Sequence, residues 1–325
     1  MRIVFLGTPE FAVPTLEALA GAPAHQVTAV VCQPDRPAGR GGALRAPAVK
    51  LAAARLGIPV YQPQRLRGAE AQAHLDWLRA ERPEVLVVVA FGQLLPPAVF
   101  ELPRWGAINA HASLLPELRG AAPIQWAIAR GATVTGVTTM RIDAGLDTGA
   151  MLLQRALPIP PYATAPEISL ELAHMSAELI LETLAGLEQG TVTPHQQPPA
   201  GTSLPLAPLL SRADGRADWT LPAGVLYNRW RGFQPWPGLH TRFRSQQLAI
   251  VRCHARTAAP TAQADGPPCG TVLAAPEGWA VVCGTGQLVV EEVRLEGKRA
   301  TAAADFARGA RLVWGHERLG RISHQ

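Results

Sequence analysis

Val85-Leu86-Val87-Val88-Val89-Ala90 is an unbroken apolar run of strand length. A strand with one wet face alternates apolar and polar residues. A run without alternation is covered on both faces, as in a parallel sheet packed between helices. Outward from this run the same signal recurs at Arg2–Leu6, which ends in Gly7-Thr8-Pro9, and at Val27–Cys32. Helix-like stretches at Glu10–Ala20, Ala48–Leu56 and Ala69–Ala80 separate these runs, with a short Ile58-Pro59-Val60-Tyr61 piece between the last two. The pattern continues through Gly106–His111, a helix at Ala122–Arg130, a strand at Thr135–Arg141 and a long amphipathic helix at Glu167–Leu187. Such alternation predicts an α/β fold with a Rossmann-like, doubly wound, mainly parallel sheet.

The composition then changes. Thr191–Pro208 is rich in Pro, Gln, Thr and Ala and has little periodicity, the signature of an interdomain linker. Beyond it, a helical stretch at Ala223–Arg231 precedes strand-like pieces at Leu248–His254, Gly270–Ala274, Trp279–Cys283 and Gln287–Arg294. Gly and Pro punctuation between them predicts a small β-barrel or sandwich. The expected organisation is a catalytic domain over 1–190, a linker over 191–208 and a smaller β domain over 209–325. A chain of 325 residues is long enough for two cores.

Composition excludes several classes. With 48% hydrophobic and 17% charged residues the chain is not globally disordered. A net charge of +5 and a pI near 9.4 fit a polyanionic partner without proving one. The four cysteines form no Cys-x-x-Cys pair and sit near no histidine cluster, so neither a metal site nor a disulfide framework is expected. Met1-Arg2-Ile3-Val4-Phe5 runs straight into a strand pattern, with no apolar leader. No apolar run approaches the ~18–20 residues of a membrane span. The expectation is a soluble, cytoplasmic protein. The first turn, Gly7-Thr8-Pro9-Glu10-Phe11, lacks the Gly-x-Gly-x-x-Gly arrangement that seats a pyrophosphate, which disfavours a dinucleotide enzyme.

Two segments carry chemistry. In Ile108-Asn109-Ala110-His111-Ala112, Asn109 and His111 lie two apart near a strand end and share one face. Pockets in open α/β sheets lie beyond the carboxyl ends of the strands. There an amide and an imidazole can donate hydrogen bonds to a developing oxyanion. Taken alone, such a pair more often marks a turn-capping Asn and a packed His. The second segment, Asp143-Ala144-Gly145-Leu146-Asp147-Thr148-Gly149, alternates carboxylates with glycines just after a strand. A carboxylate there can orient a neighbouring histidine or accept a proton from an attacking amine. Asp-Gly pairs also make ordinary surface turns.

At these residues the chain resembles the 10-formyltetrahydrofolate-dependent formyltransferases. The resemblance implies a catalytic trio at Asn109, His111 and Asp147. It implies folate contacts from Ser113-Leu114-Leu115-Pro116 and from the loop Phe91-Gly92-Gln93-Leu94-Leu95. Arg119-Gly120-Ala121-Ala122-Pro123-Ile124-Gln125 fits the same pattern. The polar loop from Gln33 to Pro47, with Arg36 and Arg40, is similar to the insertion by which members acting on methionyl-tRNA engage the acceptor end. Arg231–Gly238 resembles their second domain, an OB-like barrel, and basic barrels track nucleic-acid backbone. The implied activity is formyl transfer from 10-formyltetrahydrofolate to the α-amino group of methionyl-initiator tRNA, by a monomer and without metal. Two departures are Ala112, where the family carries Gly, and Glu117, where it carries Arg. Were the backbone at 112 left-handed, Ala would cost about 1 kcal/mol. An amino sugar nucleotide as acceptor, and a silent folate- or tRNA-binding homologue, are the alternative readings.

Overall fold

The computed structural model describes residues 1–38, 43–199, 204–256 and 266–320. The chain divides into two compact units. One comprises Met1–Pro123, Val134–Pro158 and Glu167–Pro208; the other comprises Ile124–Thr133, Ile159–Pro166 and the chain from Leu209 onward.

In the first unit the strands are β1 (Arg2–Gly7), β2 (Gln26–Val31), β3 (Arg36–Ala38), β4 (Ala43–Arg45), β5 (Val60–Tyr61), β6 (Val85–Val89), β7 (Ala107–His111), β8 (Val134–Arg141) and β9 (Met151–Pro158). The helices are α1 (Val13–Gly21), α2 (Ala48–Arg55), α3 (Ala71–Glu81) and α4 (Pro97–Phe100), followed by α5 (Pro123–Ala129), nearly all in the other unit, and α6 (Ala165–Gln189). A seven-stranded sheet runs in the order β5-β2-β1-β6-β7-β8-β9. The first five strands are parallel, and β8 and β9 turn antiparallel at one edge. All five residues of β6 are buried, as an apolar run without alternation requires. From β1 the chain fills one side of the sheet through β2 and β5, then crosses to the other through β6 and β7. The strand order therefore reverses between β1 and β6, where α/β folds open a crevice at the carboxyl ends.

Two elements depart from the sequence reading. The Gln33–Pro47 loop contains an antiparallel ribbon, with Arg36 opposite Arg45 and Pro37 opposite Leu44. Residues 151–158 form an edge strand that pairs with β8 over most of its length. Cys32 is buried just beyond β2, and burial pushes its thiol up to about 11, so it stays protonated and inert at neutral pH.

The second unit contains α7 (Ala223–Gly232), β10 (Leu239–Phe243), β11 (Gln246–Arg256), β12 (Val272–Ala275), β13 (Gly278–Val282), β14 (Gln287–Leu295), β15 (Thr301–Ala302) and α8 (Ala303–Ala310). The antiparallel order is β10-β11-β14-β13-β12, with β15 on β14. Residues 317–320 join the two edges. Val272 donates to the Glu317 carbonyl and Leu319 to the Gly270 carbonyl, both at 2.9 Å, while Arg242 and Gly320 exchange bonds of 3.1 and 3.2 Å. Joining the edges closes the sheet into a barrel and removes open strand edges. Trp279, Leu248, Val272, Val281, Leu288 and Val290 fill the core. Among the described residues no helix is long and apolar enough to cross a membrane.

This unit also carries a pH liability. His240 is buried, its Nδ1 has no hydrogen-bond partner among the described residues, and burial, then Arg212 and Arg216, hold its pKa below the ordinary value of 6.5. The unfolded chain therefore binds more protons between the folded and unfolded values. Stability is intact above about 6.5 and is lost as pH falls below it. Thermal unfolding followed from neutral to acidic pH should show a falling midpoint, and His240→Gln should flatten the fall. An unchanged pH profile in the variant would reject this account.

Candidate active site

Asn109 and His111 stand on β7, whose carboxyl end opens at the crevice side of the sheet. The strand is held on both sides, by β6 in parallel and β8 in antiparallel register. The Asn109 side chain is half-buried, and among the described residues nothing hydrogen-bonds its carboxamide. A polar group in that state is available to a ligand. His111 is engaged. Its Nε2 lies 3.0 Å from the Leu118 carbonyl, which can only accept, so Nε2 carries the proton and donates. Its Nδ1 lies 3.7 Å from Asp147 Oδ2. The two side chains are 6% and 17% exposed, so solvent screens the pair little.

Asp147 adopts a left-handed backbone, φ +53°, a conformation Asp tolerates better than most residues. Its Oδ2 also accepts the Gly120 N–H at 2.9 Å, which aims the carboxylate at His111. Asp143 does not enter this group. Its Oδ1 accepts from Gly145 N–H at 3.0 Å and from the Thr148 hydroxyl at 2.7 Å, forming a local turn. Ala112 is buried and is not among the residues with positive φ, so the left-handed penalty does not arise there.

The Ser113–Pro116 segment is anchored by one hydroxyl on β8. Thr138 Oγ1 donates to the Ser113 carbonyl at 2.7 Å and accepts from Leu115 N–H at 3.0 Å and from Gln154 Nε2 at 2.8 Å. Gln154 also donates to the Leu115 carbonyl at 2.7 Å. Ser113 is fully buried and donates to the Glu117 carbonyl at 2.7 Å. These side chains fix the shape of the loop instead of reaching out of it.

Phe91–Leu95 and Arg36 form a second group around Gln33, at the end of β6. Gln33 Nε2 donates to the Phe91 and Gly92 carbonyls, both at 3.1 Å, and Arg36 Nη2 donates to Gln33 Oε1 at 2.6 Å. Thr8 Oγ1 donates to the Phe91 carbonyl at 2.9 Å. Gly92 has φ +80°, and a Cβ there would sit 2.4 Å from Gln33 Nε2, so glycine is required for this approach. Phe91 is buried, Leu95 packs on the core beneath, Gln93 reaches the Pro63 and Gln64 carbonyls at 3.4 Å, and Leu94 is exposed. Among the described residues no side-chain hydrogen bond joins this group to the trio. Arg40 lies outside the described residues.

Sequence reasoning missed Thr138, Gln154 and Gln197. Gln197 falls in the segment read as linker, yet donates to the carbonyls of Asp147 and Gly149 at 2.9 and 2.8 Å. Nothing in its neighbourhood, His195-Gln196-Gln197-Pro198, marks one glutamine above the other. Among the described residues no group of three or more His, Cys, Asp or Glu is placed to hold a metal.

Comparison with known proteins adds to this geometry. Residues 1–184 match the formyl transferase domain, and residues 209–311 match the formyl transferase C-terminal domain. The chain is 51% identical over 315 residues to the methionyl-tRNA formyltransferase of Acidobacterium capsulatum, covering 96% of this chain and 98% of that protein. It is 51% identical over 320 residues to the methionyl-tRNA formyltransferase of Solibacter usitatus, covering 98% and 99%. Among solved structures, the sugar 3N-formyl transferase WlaRD superposes with a TM-score of 0.63 at 15% identity, covering 92% of this chain and 99% of that one. A HypX variant from Aquifex aeolicus gives 0.61 at 16% identity, covering 95% of this chain and 47% of that one. At such identities the structures speak for the fold alone.

Proposed function

We infer the reaction from the premise that the chain belongs to the formyl transferase family, through both of its matched domains. The protein transfers the formyl group of 10-formyltetrahydrofolate to the α-amino group of methionyl-initiator tRNA. The observation that carries this reading is 51% identity to methionyl-tRNA formyltransferases over nearly the full length of both chains. An initiator tRNA as acceptor supports a reaction in the cytoplasm, where translation starts.

The site residues suit acyl transfer to an amine. The folate supplies the formyl group as the acyl donor, and the Asn109 carboxamide, which has no hydrogen-bond partner among the described residues, is a donor for that group's oxygen. As the methionyl amine adds to the formyl carbon, charge builds on this oxygen. Asn109 donates to it, an effect worth about 2.7–4 kcal/mol by comparison with other oxyanion sites. With Nε2 committed to Leu118, the His111 nitrogen left to donate is Nδ1, which carries a proton only in the imidazolium. Asp147 Oδ2 faces that nitrogen. Asp147 takes the proton shed by the attacking amine, directly or through water, and the folate nitrogen gains a proton as it leaves. Ser113–Pro116 and Phe91–Leu95 would line the folate site.

Arg36 and Arg40 would meet the tRNA backbone. Because Gln33 orients Arg36, Arg36→Ala should weaken tRNA and spare folate. The KM for tRNA is expected to rise about tenfold, with the salt slope reduced by about one. An unchanged salt dependence would remove Arg36 from the interface.

The reaction is tested by measuring formyl transfer to methionine-charged initiator tRNA, elongator tRNA and an amino sugar nucleotide in parallel. Product on initiator tRNA alone is expected. Product on the sugar nucleotide alone would overturn the assignment of acceptor.

A further inference from the structure

We propose that Arg119 and Gln197 are a positioning pair that holds the Asp147 carboxylate against His111. The chain after α6 is then a working wall of the site, not a passive connection. This rests on the role given to Asp147 above. The Gln197 carboxamide is saturated. Its two N–H bonds go to the carbonyls of Asp147 and Gly149, at 2.9 and 2.8 Å. Its oxygen accepts Arg119 Nε at 3.0 Å and Arg119 Nη2 at 2.8 Å. A primary amide offers two donor hydrogens and two acceptor lone pairs, and here all four are used. The group cannot rotate without breaking several bonds at once.

Each bond has a consequence for the trio. Asp147 keeps a left-handed backbone, φ +53°, which persists in a non-glycine residue only where the surroundings enforce it. Gln197 enforces it by pinning the Asp147 and Gly149 carbonyls. Arg119 acts on the opposite wall. Arg119 is buried, 6% exposed as a residue, and the Pro198 carbonyl, at 3.0 Å, is a further acceptor for its guanidinium. A buried guanidinium is costly unless its donors are met, so Arg119 stays where Gln197 and Pro198 hold it. The neighbours of Arg119 carry the two backbone groups that touch the trio: the Leu118 carbonyl accepts a hydrogen bond from His111 Nε2, and the Gly120 N–H donates to Asp147 Oδ2. One side-chain pair therefore ties together the backbones that orient both His111 and Asp147.

The same chain reinforces this wall further on. Leu118 N–H donates to the Pro205 carbonyl and Ala207 N–H to the Arg119 carbonyl, both at 2.8 Å, and Ala122 N–H donates to the Ala207 carbonyl at 3.1 Å. Residues 118–122 are thus braced from 197–198 and from 205–207. All these residues belong to the first unit.

The test is a double-variant cycle in the full-length protein, with kcat and KM measured for formyl transfer to methionyl-initiator tRNA. Gln197→Ala removes the whole clamp. Gln197→Glu keeps an acceptor for Arg119 but turns oxygen toward the Asp147 and Gly149 carbonyls, so it isolates the Asp147 side with the guanidinium still paired. Both are expected to lower kcat about 10²-fold, the cost of misplacing a reacting group by about 1 Å, with KM for both substrates near the parent values. In an Asp147→Asn background the same changes should cost less than about threefold more, because the group they position is already disabled. Parent-like kcat in both variants beside an impaired Asp147→Asn would overturn the pair alone. So would a full, independent loss in the Asp147→Asn background, which marks general damage instead of positioning. A fully active Asp147→Asn would overturn the role of Asp147, and this inference with it.

Discussion

Replacing Asn109 with Ala is expected to lower kcat by about 10²–10³-fold, or ~2.7–4 kcal/mol of transition-state stabilisation, while leaving both KM values nearly unchanged. Asn109 is the cleanest probe of the trio because its carboxamide supports nothing else. Among the described residues it has no hydrogen-bond partner, so its removal leaves no buried group stranded. His111→Ala is a poorer probe, since it also orphans the Leu118 carbonyl and deprives Asp147 of its facing ring. A donor that meets the formyl oxygen only as charge accumulates acts on kcat and not on ground-state binding. Asn109→Asp should be at least as damaging, because it sets an acceptor where a donor is needed. Single-turnover measurements with saturating tRNA and folate separate chemistry from release. A chemical step within a few-fold of the parent in Asn109→Ala would remove this residue from the mechanism.

The legible and the hidden parts of this molecule differ in physical kind. Periodicity announces burial on two faces, so β1, β2 and β6 and the helices between them could be read from single segments. Asn109 and His111 could be placed on one face because strand geometry has a fixed period of two. The edge strand β9 was harder: its alternation is short, and it runs directly into Pro158. Gln197, Thr138 and Gln154 were invisible for a stronger reason. Each works through bonds to backbone atoms 23 to 50 residues away, and a backbone partner leaves no trace in side-chain chemistry. The ribbon at Arg36–Arg45 was hidden by Pro37, which reads as loop but sits at an edge position where no ladder N–H is required. Resemblance pointed to the proposed trio; the structure separates Asn109, which has no side-chain partner among the described residues, from the heavily braced carboxylate of Asp147.

That bracing makes Gly120 the most sensitive backbone position in the site. Gly120→Ala is expected to lower kcat about 10²-fold or more and to destabilise the first unit by about 1–3 kcal/mol. Two independent observations combine here. Gly120 has φ +125°, outside the range an L side chain accepts readily. A Cβ there would also stand 2.4 Å from the Ala207 carbonyl oxygen, a backbone atom that cannot swing aside as a side chain would. Relief requires residues 205–207 to lift from 118–122, which weakens the Ala207–Arg119 and Ala122–Ala207 hydrogen bonds. It equally requires Gly120 N–H to turn from Asp147 Oδ2, releasing the carboxylate that faces His111. Stability and turnover should therefore fall together, unlike in Asn109→Ala, where turnover falls alone. Denaturant unfolding and kcat measured on the same preparations distinguish the two patterns. A stable Gly120→Ala protein with normal kcat would mean that residues 118–122 and 205–207 can move apart without disturbing Asp147, and that the carboxylate finds His111 without their help.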